Sequence, residues 1–361
     1  MDEVIVGVEG ALGRITLNRP RAINALTLPM VRAIDAALAG WERDPRVRAV
    51  LLDGAGERGF CAGGDIVALR RSALDGDGFA ERFWREEYHL NARIAASSKP
   101  VVVLMDGVVM GGGVGLSGHA RHRVATERLT WAMPETMIGF APDVGGTFLL
   151  SRAPGQLGTH IGLTAARIGA GDALACGFAD RFVAAAELEQ LVADLRDGDP
   201  AAAIDAATQR SGPPPAAALA SEREAIDACY AGDDAEQIAA RLLVAGREEP
   251  LAALSAASPT SVKVTLAALR RAAGLRTLEA CLEAELRTSC GLLGTADFAE
   301  GIRAMVVDKD RQPAWSPPTL AEVEDADAAR IARGPEGLGG LWAQPAPAGA
   351  ALMRSRRRTR R

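Results

Sequence analysis

The sequence has no CxxC pair, and its five cysteines, Cys61, Cys176, Cys229, Cys281 and Cys290, stand far apart and odd in number. Such a set excludes a disulfide framework and a structural zinc site, and reads as reduced thiols of a cytoplasmic chain. Histidine is scarce as well. The one close pair, His119 and His122, has no cysteine or acid at ligand spacing beside it, so both read as surface residues and no metal is expected. No run approaches the ~20 apolar residues that a membrane span needs. The opening, two acids followed by VIVGV, has neither a basic n-region nor a long apolar h-region, so no targeting segment and no membrane partner are expected. A formal net charge of −5 excludes a basic field over the whole chain, and with it a nucleic-acid partner of the usual kind. Positive charge gathers only at the end, where Arg354–Arg361 holds six arginines and reads as a solvated tail.

What is present is an ordinary globular composition, 48% hydrophobic and 24% charged. At 361 residues the chain is long for a single core, so one large domain with an appendage is expected. VIVGVE and GRITLNRP flank a glycine-containing turn and read as a hairpin. TLPMVRAIDAALAGWERD carries helical spacing, with Thr27 as cap and Pro29 early, where a helix tolerates it. VRAVLLDGAG reads as a strand, EEYHLNARIAASS as a helix stopped by Lys99-Pro100, and VVVLMDG as the next strand. This order predicts a mixed α/β fold with parallel pairing. Alanine-rich helices follow, broken most clearly at SGPPPAAA (211–218), and periodicity fades after Arg333. The expected organisation is a core over 1–210, a helical region over 211–330 and a tail over 331–361.

One stretch carries two readings. MGGGVGLSG (110–118) contains Gly113-x-Gly115-x-x-Gly118 behind a strand, the spacing of a dinucleotide fingerprint, and Glu135 lies twenty-two residues after Gly113. Asp106-Gly107 interrupts the strand's approach, however, and about a hundred residues of other α/β structure precede the unit. The same glycines at a helix start also offer free backbone N–H groups to developing negative charge, an oxyanion hole. That reading needs a second donor and a reactive group. GFCAGGD (59–65) supplies a second glycine turn, and Pro134-Glu135 a carboxylate.

Four blocks, NRPRAINAL (18–26), GAGERGFCAGGDI (54–66), KPVVVLMDGVVMGGGVGLSG (99–118) and MPETMIGFAPDVGGTFLL (133–150), together resemble the crotonase, or enoyl-CoA hydratase/isomerase, superfamily. The resemblance favours the oxyanion reading and implies a ClpP-like spiral of β-β-α repeats with a C-terminal helical region, binding an acyl-CoA. It implies Gly64 and Gly112 as the two backbone donors, and Ala62, Gly64 and Ile66 along the CoA. CoA arrives within the substrate, so no cofactor is implied. Relatives often assemble as trimers, which makes a homo-oligomer an open expectation.

Hydratases of this superfamily typically place a first glutamate three residues after the middle oxyanion glycine, and here that position is Gly115. The second is Glu135, and Asp143 stands eight residues further on, where hydratases generally carry glycine. The pair resembles the 3-hydroxyisobutyryl-CoA hydrolase branch, as do REEY (85–88), SPTSVKVTL (258–266) and DFAEGIRAMVVDKDRQPAW (297–315). The branch implies Glu87 as a substrate contact, Glu135 as nucleophile or general base, Asp143 as partner to the substrate hydroxyl, and a place in valine degradation. Ala141 departs from a bulky aromatic there, which implies an altered acyl pocket. Hydrolysis of a related thioester such as 3-hydroxypropionyl-CoA, hydration or isomerisation on the same fold, and a non-catalytic CoA-binding protein stay open.

Overall fold

The computed structural model describes residues 2–343. Strands β1 (Val4–Glu9) and β2 (Leu12–Leu17) form the expected antiparallel hairpin. Helix α1 (Leu28–Glu42) begins where its cap predicts, with the Thr27 hydroxyl accepting from the Met30 amide at 3.3 Å. It buries Met30, Val31, Ile34, Leu38 and Trp41, one stripe at helical spacing.

Beyond α1 the chain repeats one move three times. A strand of the main sheet runs into a short strand of a second sheet, and the chain then turns away. The pairs are β3 (Ala49–Gly54) with β4 (Gly59–Cys61), β5 (Val101–Met105) with β6 (Val108–Met110), and β7 (His122–Ala125) with β8 (Thr130–Ala132). The first strands pair in parallel as β3-β5-β7 within a six-stranded sheet, which β1, β2 and the short β9 (Arg181–Phe182) complete. The second strands pair in parallel as β4-β6-β8. Each repeat advances one step in both sheets, which is the expected spiral. Between repeats lie helices α2 (Ile66–Asp75), α3 (Phe79–Ala96) and α4 (Gly112–Ser117). Strand β5, buried at all five positions, is the continuous apolar run that a doubly covered parallel strand requires.

The C-terminal region is helical, with helices including Pro259–Gly274 and Leu278–Leu293. It shares a core with the N-terminal region. One buried cluster joins Ile15, Trp84 and Leu150 to Tyr230, Leu269, Leu282 and Leu341. Residues 331–343, assigned from the sequence to the tail, are packed. Leu341 is buried, Arg85 donates to the carbonyls of Gly339 and Gly340, and the His89 and Trp342 rings meet edge to face at 4.9 Å. The arginine-rich end lies outside the described residues. No helix among them is long and apolar enough to cross a membrane.

Candidate active site

The three parallel strands β4, β6 and β8 end side by side, and each exit delivers one segment of the site. After β4 come Ala62, Gly63 and Gly64; after β6, Gly111 and Gly112; after β8, Pro134 and Glu135. The carboxyl ends of parallel strands are where α/β proteins bind ligands, because backbone donors and loop side chains converge there. The NRPRAINAL block fixes the first of these turns. Buried Asn24 donates to the carbonyls of Gly59 and Phe60, Leu26 donates to Gly63 O, and Asp65 donates back to Leu26 O.

A cavity of about 390 Å³ opens at this convergence. Ala62, Gly64, Ile66, Glu87, Gly112, Glu135 and Asp143 all line it, so every residue singled out in the sequence for the site meets in one place. Among the described residues the amides of Gly64 and Gly112 donate to no protein acceptor. Gly112 opens α4, so its N–H has no intrahelical partner. The two amides are neighbours, since a Cβ built on Gly112 falls 3.3 Å from Gly64 N. That Cβ would also fall 2.6 Å from Glu87 Oε1 and 3.1 Å from Leu26 Cδ1, so any larger residue would displace the Glu87 carboxyl from the turn. Gly111, at φ 48° and ψ −121°, adopts a conformation that glycine alone takes readily and lies against Glu135 Oε1.

Three carboxyls face this turn, and among the described residues none of them is in an ion pair, although Arg167 lines the same cavity. Glu87, on α3, and Glu135 each leave one carboxyl oxygen buried and unpartnered. Burial pushes both well above the usual carboxylate range, and repulsion from Asp143 adds to it in each case. Burial likewise raises Asp143, opposed by a hydrogen bond from Tyr88, and it is pushed up to about 7.

The loop that carries Asp143 is strained and clamped. Val144, a β-branched residue, sits at φ 53°, and Gly145 follows at φ 79°. Such a conformation persists only where neighbours over-determine it. His119 Nε2 meets Val144 O at 2.9 Å, while Glu285 accepts from Gly145 N at 2.7 Å and from Thr147 N at 2.9 Å. His119, expected at the surface, is thus packed into the site's support, and burial pushes it down to about 4. His122 is half-buried rather than exposed.

Gly115 is closed to any larger side chain. Its Cβ would fall 2.7 Å from Val144 Cβ and 2.8 Å from Asn91 Nδ2, leaving no room for the glutamate that a two-glutamate hydratase places there. Ala141 is buried and is not among the residues that line the cavity. Its neighbour Phe140 does line it, stacked on Trp84 at 5.3 Å with Phe298 edge-on at 5.4 Å from Phe140. The dinucleotide reading fails on the same geometry. Gly113 is pressed against Cys61 O, where its Cβ would fall at 2.3 Å, and Gly118 against Leu149, so neither offers a surface to a pyrophosphate.

Three residues of this site escape sequence reasoning: Tyr88, Glu285 and Ser289. Glu285 and Ser289 carried a readable signal, being polar positions on the apolar face set by Leu278, Cys281, Leu282 and Leu286. Among the described residues no group of three or more acids, histidines or cysteines is arranged to hold a metal.

Parallel strands feeding two glycine turns and a set of buried carboxyls define an acyl-CoA enzyme of the spiral β-β-α type. The chain belongs to the enoyl-CoA hydratase/isomerase family, whose profile matches residues 12–331. It is 40% identical over 336 residues to the mitochondrial 3-hydroxyisobutyryl-CoA hydrolase of Rattus norvegicus, covering 90% of this chain and 87% of that one. The structure of a carnitinyl-CoA dehydratase from Mycobacterium thermoresistibile superimposes with a TM-score of 0.88 at 47% identity, covering 93% of this chain and 98% of that one. An enoyl-CoA hydratase from Rhodobacter sphaeroides 2.4.1 does so with a TM-score of 0.87 at 44% identity, covering 94% and 99%.

Proposed function

We propose that the protein hydrolyses 3-hydroxyisobutyryl-CoA to 3-hydroxyisobutyrate and CoA, a step of valine degradation. The observation that carries this is that Glu135, lying against the Gly111-Gly112 turn, and Asp143 line one cavity, while Gly115 excludes the first hydratase glutamate. The thioester oxygen lies between the Gly64 and Gly112 amides, which stabilise the charge that develops as the carbonyl becomes tetrahedral. Glu135 then either attacks the carbonyl to give an acyl-enzyme anhydride, which water splits to the free acid and Glu135, or deprotonates a water that attacks the carbonyl itself. Asp143 holds the substrate hydroxyl and exchanges its proton, and CoA leaves as the thiolate. The aromatic wall of Trp84, Phe140 and Phe298 favours a short acyl group. No cofactor enters this scheme.

The test is release of free thiol from (S)-3-hydroxyisobutyryl-CoA, with 3-hydroxypropionyl-CoA, crotonyl-CoA and acetyl-CoA alongside. Selective release that Glu135→Gln abolishes supports the reading. Single turnover in oxygen-18 water tests the anhydride route, because label in the Glu135 side chain arises only when water opens an anhydride at the Glu135 carbonyl.

A second reading, hydration, is favoured by one observation: Glu87 lies against Gly112 with an unpartnered oxygen and could serve as the missing second acid. Two structural relatives, an enoyl-CoA hydratase and a carnitinyl-CoA dehydratase, are in keeping with it. Loss of crotonyl absorbance without thiol release would favour it. CoA binding with neither reaction would leave a non-catalytic binding protein. Self-association and a cytoplasmic location belong to the reading as well, although the hydrolase relatives carry a mitochondrial name. Sedimentation velocity and a localised fluorescent fusion measure these two.

A further inference from the structure

Tyr88 is wholly buried, one residue beyond Glu87 on α3, and its hydroxyl donates to Asp143 Oδ2 at 2.7 Å. A phenol has one proton to give, so at its second contact it accepts, from Ser289 Oγ at 2.9 Å. Ser289 lies four residues, about one turn, after Glu285 on helix Leu278–Leu293. The same helix therefore reaches the Asp143 loop twice. Glu285 takes up the amides of Gly145 and Thr147, and Ser289 reaches the Asp143 carboxyl through Tyr88.

We propose that Tyr88, oriented by Ser289, is the positioning residue of Asp143: it holds one carboxyl oxygen in place and keeps the group able to ionise in a buried pocket. This inference rests on the hydrolase reading and assigns the C-terminal helical region a part in the chemistry. The need is plain from what surrounds Asp143. Glu87 faces it from α3, Glu135 from the turn after β8 and Glu285 from helix Leu278–Leu293, all acids in mutual repulsion. His119 is committed to Val144 O, and burial keeps it neutral at ordinary pH. Among the described residues Tyr88 is the one side chain donating to Asp143, and its hydrogen bond acts to lower a group that burial raises. The free Oδ1 remains available to a substrate hydroxyl.

The test compares wild type with Tyr88→Phe, Ser289→Ala and Asp143→Asn in steady-state thiol release from (S)-3-hydroxyisobutyryl-CoA between pH 5 and 9. Removing the Tyr88 donor raises the Asp143 pKa, so the acid limb of the kcat profile moves to higher pH. For Tyr88→Phe the expected displacement is about one pH unit, with kcat at pH 7 down roughly fivefold and KM within about twofold. Ser289→Ala moves the limb the same way by about half as much, and it carries the test if Tyr88→Phe does not fold. Adding Tyr88→Phe to Asp143→Asn costs nothing further, because the two act through one group. A profile that does not move, or additive losses in the double variant, would overturn the proposal. Full activity in Asp143→Asn would instead overturn the assignment of Asp143 itself, which is a separate failure.

Discussion

Asp143 stores a proton in the folded protein that the unfolded chain releases, and this gives its charge a measurable sign. Its folded value, about 7, lies above the 3.8 of a free aspartate, so the native state binds the extra proton between those values. Stability contributed by the neutral carboxyl is therefore full below pH 4 and is lost as pH rises toward 7. Asp143→Asn, neutral at every pH, should be more stable than wild type at pH 8 by about 4 kcal/mol, the gap closing toward pH 4. Urea melts at the two pH values measure it. Activity moves the other way: the same variant should lose about a hundredfold or more in thiol release, as should Glu135→Gln. Gly115→Glu, the substitution that would restore a hydratase pair on paper, should instead destabilise by roughly 3 kcal/mol or more, because Val144 and Asn91 occupy the space. Thermal melting and crotonyl-CoA absorbance report on it together. A gain of hydration in a folded Gly115→Glu protein would sink the steric argument.

Elements were legible in the sequence to the degree that their pattern outran chance. The hairpin, α1 and β5 could be read because each spans five or more residues with a defined period and a stop signal. Strands β4, β6 and β8 are three residues each, too short for any period, yet they aim the whole site. The two glycine turns and Glu135 could be named from the residues, but which amides donate, and the part of Asp143, came only with the resemblance of four blocks to a known family. Helix Leu278–Leu293 could be read as a helix, but its grip on the Asp143 loop could not. That contact spans some 140 residues of sequence, and no local pattern reports which loop a buried Glu will cap. Glu285→Ala would leave the Gly145 amide and the Thr147 amide and hydroxyl without an acceptor, at a cost of about 3 kcal/mol or more. Denaturant unfolding should show that loss. Thiol release should fall with it even where the protein remains folded, since the Asp143 loop loses its clamp.

The whole molecule is built around a core that ignores the boundary suggested by composition. Because Leu150, Ile161 and Leu163 share one cluster with Tyr230, Leu269 and Leu282, a chain ending at residue 210 should show no cooperative melt and should bind dye as exposed apolar surface. Circular dichroism on heating decides this, and a sharp transition would restore an independent core. The burial that unites the two halves also encloses all five cysteines, none of them disulfide-bonded. Cys61, Cys176 and Cys290 are pushed up to about 12 by that burial, far from the thiolate that reacts. A chromogenic thiol reagent added to the native enzyme should therefore see the CoA it liberates and almost nothing of the protein. The same reagent, left with the enzyme in rising denaturant, should count five groups as they emerge. The assay for turnover thus carries its own gauge of whether the catalyst is intact.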